Sequence, residues 1–376
     1  MKGKTFLILL VAAGVLVALS FLRFGDGKPI GTVKMGEKLL ADLPVNAVAA
    51  VAIADAENKV TLVKGAAVWQ VEERSGYPAN FAELRDLVVK LSRLKIGRSF
   101  SGSPESLTRL SLVAPTASDT SGKGKQITLK DSSGNILADL ILGQTRETDG
   151  GGNGGQYLKK AGADTVFLVD ENFRFLKTAP SQWLKKEILD IKADDVDSVT
   201  CFAGGSPPPA YTLSRPAKGE TARMTPVPPG RSADSAKVDQ VFDALAPLTL
   251  DDVQAGGEKL PAGEAAQPRL VYHLYDGRQI SIFPAFDGKD RYTLRVTAED
   301  SIATETPAAD DTGPQPADEK TPGGETTSAP VPTTARQLNE ELSPWVFTVK
   351  KWQYDSFITQ PGSLLEEVKK EGDGKS

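Results

Sequence analysis

Ala79–Leu94, ANFAELRDLVVKLSRL, and Ala233–Leu248, ADSAKVDQVFDALAPL, decide how this chain is read. In the first stretch Leu84, Leu87, Val88, Leu91 and Leu94 recur at spacings of three and four, the period of one helix face, and Phe81 extends the stripe. Shifted by 154 residues without a gap, those five positions fall on Val238, Val241, Phe242, Leu245 and Leu248. Each stretch also opens on a capping signal. Asn80 is followed three residues later by Glu83, and Ser232-Ala233-Asp234 stands before the second stripe. Exact identities are few (Ala79/Ala233, Ala82/Ala236, Leu91/Leu245, Leu94/Leu248), and two amphipathic helices match partly by chance. The flanking segments therefore decide whether the pair is a repeat.

Strand signals surround both helices in the same order. Val48–Ile53, Val60–Val63 and Ala67–Val71 precede the first helix, with Lys64-Gly65 as a turn. After it, Gln126–Leu129 and Ile136–Leu142 flank Asp131-Ser132-Ser133-Gly134-Asn135, a hairpin signal, and Gln156–Lys159 and Thr165–Val169 bracket Ala161-Gly162-Ala163-Asp164. Around the second helix, Ser198–Phe202 and Ala210–Ser214 come before it. Arg269–Tyr275 and Gln279–Phe283 follow around Asp276-Gly277-Arg278, then Arg291–Val296. The expected fold is α+β: an N-terminal transmembrane helix followed by two similar, duplicated halves with mostly antiparallel sheets.

The leader sets location. Thr5–Leu22 is an uncharged apolar run, preceded by Lys2 and Lys4 and followed by Arg23. As a helix at about 1.5 Å per residue it spans about 27 Å, close to a bilayer's hydrocarbon core. The amino-terminal charges favour an N-terminus kept inside and a bulk domain exported, which for a bacterial chain means an inner-membrane anchor with the rest in the periplasm. A cleaved signal peptide is the competing reading, because Ala18-Leu19-Ser20 offers small residues for cleavage. The run holds no cysteine, so a lipoprotein signal is excluded.

Ala303–Arg336 is rich in Pro, Thr, Gly, Asp and Glu and nearly devoid of large apolar side chains, so burial there cannot offset ordering entropy. We expect a disordered insertion, with Pro344–Val349 returning to strand and Trp352, Tyr354, Phe357 and Ile358 closing the fold. The expected organisation is an anchor at 1–24, a spacer at 25–47, a first repeat at 48–192, a second at 193–358 containing the insertion at 303–336, and a polar tail at 359–376.

Composition excludes several functions. Over 376 residues, 44 Lys+Arg stand against 49 Asp+Glu, a net of -5 that gives no electrostatic footprint for nucleic acid. The single cysteine, Cys201, forbids an intramolecular disulfide, and the single histidine, His273, forbids a multi-histidine metal site.

The residues as a set resemble the DUF4340 domain proteins, a family of uncharacterised bacterial proteins. The similarity rests on the apolar leader, Ala67-Val68-Trp69-Gln70-Val71 before the helix, Leu140-Ile141-Leu142-Gly143 ahead of a Gly-rich turn and Tyr157, and Asp164–Val169. It continues through Trp183–Val199 and Trp345-Val346-Phe347. It covers most of the chain after the leader, while the 303–336 insertion is peculiar to this sequence. The resemblance implies an envelope component that accompanies an ABC-2-type permease or gliding-motility-like auxiliary proteins, and it brings no catalytic residues with it.

Individual candidates are weak. His273 lies in a strand with no nucleophile or orienting acid at triad spacing. Cys201 sits in an apolar strand, where a buried free thiol is usual. Gly150–Gly155 lacks the Gly-Lys-Ser/Thr of a phosphate loop. Asp194-Asp195-Val196-Asp197 offers hard oxygen ligands but lacks the glycine and distal glutamate of a calcium loop. Trp69, Trp183, Trp345 and Trp352 have no spacing that makes a shared sugar-stacking surface, so we expect packing roles. We therefore expect no catalytic, cofactor-binding or metal residues and no cofactor. The leading expectation is a non-catalytic, membrane-anchored accessory or binding subunit of such a transport complex, its anchor offering one small-residue pair, Gly14 with Ala18, for helix packing. The alternative is a binder of envelope polysaccharide or peptidoglycan, or a hydrolase using paired carboxylates.

Overall fold

The computed structural model describes residues 35–118, 121–146, 154–203, 208–256, 267–300 and 334–367. The apolar leader Thr5–Leu22, most of Gly150–Gly155 and most of the 303–336 insertion lie outside those residues. Among the described residues, no helix is long and apolar enough to cross a membrane. The architecture is α+β, with mostly antiparallel sheets and few helices. The chain divides into two compact units. The first comprises the chain up to Ala67 with Phe81–Ala179, and the second Val68–Asn80 with the chain from Pro180 onward.

The first unit contains β1 (Ala50–Ala54), β2 (Lys59–Lys64), α1 (Phe81–Arg93), β3 (Ile96–Ser101), α2 (Pro104–Arg109), β4 (Lys125–Lys130), β5 (Ile136–Thr145), β6 (Gln156–Lys160) and β7 (Thr165–Val169). Its strands lie in the order β2-β1-β4-β5-β6-β7-β3, every neighbour antiparallel. Alternation along the strands buries Val51, Ile53, Val60, Leu62, Ile127 and Leu129. Leu84, Leu87, Val88 and Leu91 of α1, with Leu94 just beyond it, are buried too, each contributing about 1.5–3 kcal/mol of hydrophobic stabilisation. Phe81 departs from the expected stripe. It starts the helix and is exposed. The β4–β5 hairpin turns on Asp131, whose carboxylate accepts hydrogen bonds from the Ser133 and Asn135 backbone N–H groups at 2.8 and 2.9 Å, while Gly134 takes φ +83°.

In the second unit the strands of the main sheet are β8 (Val196–Phe202), β9 (Tyr211–Ser214), β10 (Arg223–Thr225), β11 (Asp252–Ala255), β12 (Arg269–Leu274), β13 (Arg278–Phe286), β14 (Tyr292–Asp300) and β15 (Trp345–Val349). The helices are α3 (Ser235–Phe242), α4 (Ala335–Leu342) and α5 (Lys351–Ser356). The sheet order is β10-β9-β8-β12-β13-β14-β15-β11. Dropping the short β10, this order matches that of the first unit strand for strand, and a helix occupies the same place in the chain order, before the last strand of the list. Asp234 caps α3 by accepting from the Lys237 N–H, and all five residues of the second stripe are buried. The Tyr272 hydroxyl of β12 donates to the Val241 carbonyl of α3 at 3.1 Å, which fixes the helix on this sheet.

Two ends of the chain are more ordered than composition suggests. Thr334 caps α4 with its side chain in a reciprocal bond pair with Gln337, so 334–336 open a helix at the end of the expected insertion. Pro361–Glu367, counted with the polar tail, instead forms a 3-10 turn and a strand paired with Arg231–Ala233. Burial of Leu364 and Leu365 supplies the apolar contact that a mobile tail lacks. Of the expected closing aromatics, Tyr354 and Phe357 are buried, whereas Trp352 and Ile358 face solvent.

The hairpin of Trp69–Val71 with Tyr77–Pro78 is part of the second unit. Tyr77 meets Trp345 edge-on at 5.1 Å between centroids and Phe347 at 6.3 Å, and the Arg74 guanidinium grips Asp252 with two bonds of 2.5 and 2.8 Å. Tyr77→Ala should therefore lower the unfolding free energy by about 3 kcal/mol, while Tyr77→Phe, which keeps the rings together, should cost less than about 1 kcal/mol. Urea midpoints measure both, and equal midpoints for Tyr77→Ala and the parent would show that the hairpin carries no weight there.

Candidate binding groove

The residues singled out by type do not converge. His273 pairs across the sheet with Ser198 and Gln279 and is half-buried, and its imidazole has no side-chain hydrogen bond among the described residues. Burial pushes its pKa below the usual histidine value, only partly opposed by the nearby Asp197. Cys201 is buried opposite Tyr211, and burial pushes its thiol up, the opposite of an activated thiolate. In the acidic run, Asp195 holds Lys218 at 2.8 Å, Asp194 lies 3.8 Å from Arg215, and Asp197 accepts from Ser198 at 3.3 Å. No group of three His, Cys, Asp or Glu side chains among the described residues is placed to hold a metal ion. Trp183 is buried, Trp345 packs on Tyr77, and Trp352 is exposed.

What the structure does form is a groove of about 450 Å³ at one end of the first unit's sheet. The β1–β2 turn gives Asp55 and Glu57 to one wall, the start of β4 gives Lys123 and Lys125, and the segment after β7 gives Phe173 and Arg174. Close chain packing makes this possible. At Gly143 a Cβ would lie 2.2 Å from the Leu110 carbonyl oxygen, and at Gly155 it would lie 1.8 Å from that of Val169, so both positions need the missing side chain.

The floor is held by a buried amide. Gln156 is only 4% exposed; its Nε2 donates to the Gly143 carbonyl at 2.7 Å and its Oε1 accepts from the Phe173 N–H at 2.7 Å. That pair of bonds satisfies the amide and ties the strand end to the segment after β7. The same segment is tied down again by Lys125, which donates to the Leu176 carbonyl at 2.7 Å, and by the Thr178 hydroxyl, which donates to Asp55 at 2.6 Å. Burial opposes ionisation of Asp55. The Thr178 hydroxyl, the Glu57 and Asn58 N–H groups and the Lys125 charge outweigh it and hold the carboxyl below its ordinary value. A general acid needs the opposite shift.

At the corresponding end of the second unit aromatic side chains cluster instead. Gln156 pairs with Thr145 and Val169; in the same register Tyr292 pairs with Phe286 and Val349. There Tyr292 stacks on Phe286 at 4.9 Å and leans on Tyr354 at 5.2 Å, while Arg269 lies 4.2 Å over Phe202. Rings occupy what is polar and open in the first unit.

None of the charged groove residues was singled out from the sequence, although Leu142 and Gly143 of the lining belong to the Leu140–Gly143 run. Asp55, Lys123 and Arg174 stand far apart in the chain, and no motif spacing links them.

Fold and groove define a class: an α+β protein of two topologically matched antiparallel units, with an open polar groove at one end of the first unit's sheet. Residues 69–268 match the family model described as Domain of unknown function (DUF4340), and the chain belongs to that family. No curated protein and no solved structure matches the chain.

Because the folded-state pKa of Asp55 lies below its unfolded value of about 4, its contribution to stability is present above that pH and is lost as pH falls through the folded value. Thr178→Val removes the hydrogen bond that does most to hold it low. The acid-unfolding midpoint followed by circular dichroism should then move to higher pH, and an unchanged midpoint would show that the Thr178–Asp55 bond is not made in solution.

Proposed function

We propose that this protein is a non-catalytic, membrane-anchored accessory subunit whose two exported α+β units, products of a duplication, bind a protein partner in the cell envelope. The partner expected from the family resemblance is an ABC-2-type permease or an auxiliary subunit of a gliding-motility-like complex. The carrying observation is the groove: its charged residues are spent on shaping and lining a recognition surface, with the one well-defined carboxylate held ionised and bonded. The apolar run Thr5–Leu22 supports anchoring, and the matched strand orders support duplication. Anchoring raises the effective concentration of the exported units at the membrane, so a modest interface suffices for stable association with a membrane partner.

Two measurements test this reading. Protease added to spheroplasts should digest the bulk of the chain, and protection of that bulk would refute export. Purification of the native protein in mild detergent, followed by mass spectrometry, should recover a permease or its ATPase, and their absence would count against the accessory role.

A further inference from the structure

Resting on the reading of this chain as a binding subunit, we propose that the first unit's groove takes an extended, acidic peptide segment of the partner protein. The argument begins with charge. Three cations, Lys123, Lys125 and Arg174, and two carboxylates, Asp55 and Glu57, line the groove. Asp55 is committed to Thr178 and two backbone N–H groups and faces the Lys125 charge. Lys123 and Arg174 have no carboxylate partner among the described residues, and the three cations of the lining outnumber its two carboxylates by one. The net charge of the lining is therefore positive, and its complement is an anion.

Shape selects a peptide over a free small anion. The groove is an open trough between strand ends, with the exposed Ala56 and the buried Leu142 and Phe173 among its lining residues. A site for phosphate alone is instead a closed nest of backbone donors. At the rim, Phe175 is 85% exposed, with the Arg174 guanidinium 5.8 Å from its ring centroid. Aromatic and arginine side chains are over-represented among the residues that carry binding energy at protein interfaces. The second unit gives an internal control: Phe286, Tyr292 and Tyr354 pack against one another at its equivalent strand ends. The open space in the first unit is thus not a requirement of the fold.

The test uses the full-length protein in mild detergent and a fluorescein-labelled peptide, acetyl-Gly-Asp-Glu-Phe-Asp-Gly, against its amide counterpart, acetyl-Gly-Asn-Gln-Phe-Asn-Gly, by fluorescence anisotropy. The acidic peptide should bind at least about tenfold more tightly, and raising salt from about 0.05 to 0.5 M should weaken it. Lys123→Glu and Arg174→Glu should each weaken binding by about fivefold or more, Glu57→Gln should strengthen it, and unchanged thermal melts establish that the variants fold. Equal binding of the neutral peptide, or full displacement by 10 mM inorganic phosphate, would overturn the proposal, the latter by revealing a small-anion site. A permease that co-purifies equally with the parent and the Lys123→Glu/Arg174→Glu double variant would leave the accessory role standing and remove this one. Peptide binding without a co-purified permease would do the reverse.

Discussion

The buried amide of Gln156 is the constraint on which the open end of the first unit depends. An amide placed among strand ends must satisfy both its donor and its acceptor, and it does so with the Gly143 carbonyl and the Phe173 N–H. Those two bonds hold β5 and the segment after β7 at a fixed separation, with Phe173 turned in and Arg174 turned out. An apolar residue in its place would favour collapse of that segment onto the sheet. The second unit shows such an outcome with Tyr292, whose ring is packed between Phe286 and Tyr354. One ladder position is thus polar and hydrogen-bonded in one unit and aromatic and stacked in the other.

This comparison is possible because antiparallel register fixes neighbours independently of identity. Gln156 and Tyr292 share no chemistry, yet each lies between the last residues of two strands in the same ladder position. Burial requires only apolar residues at the right period, so Leu84 and Val238, or Leu87 and Val241, are interchangeable. Two sequences with few shared residues thereby keep one strand order while their loop ends diverge, which is where binding surfaces usually arise.

The periodic parts of the fold were legible for the same reason. The two helix stripes, the Asp131–Asn135 turn and the Asp276-Gly277-Arg278 turn rest on local rules, and the structure buries or bends them as those rules require. Where tertiary contact decides, local rules fell short. Phe81 continues the stripe in sequence but stands at the helix start and is exposed, and Leu364-Leu365 looks like tail until Arg231–Ala233 offers it a strand. The groove was illegible because its charges come from three separate segments and no motif spacing links them. His273 and Cys201, the residues that chemistry made conspicuous, are ordinary strand positions whose shifts come from burial.

Charge and order in the groove are coupled in a way that bears on how it recognises anything. The segment carrying Phe173, Arg174 and Phe175 is fastened to Asp55 by the Thr178 hydroxyl and to Lys125 of β4 through the Leu176 carbonyl, and Lys177 reaches Glu83 of α1 at 2.6 Å. The segment therefore presents its exposed ring and guanidinium from a backbone held at several points, so little ordering cost remains for binding. Preorganisation of this kind lets a shallow, wet surface discriminate by charge rather than by enclosed volume. The carboxylate inside the groove is held by the same network: the Thr178 hydroxyl and two backbone N–H groups keep Asp55 ionised and fixed in the wall.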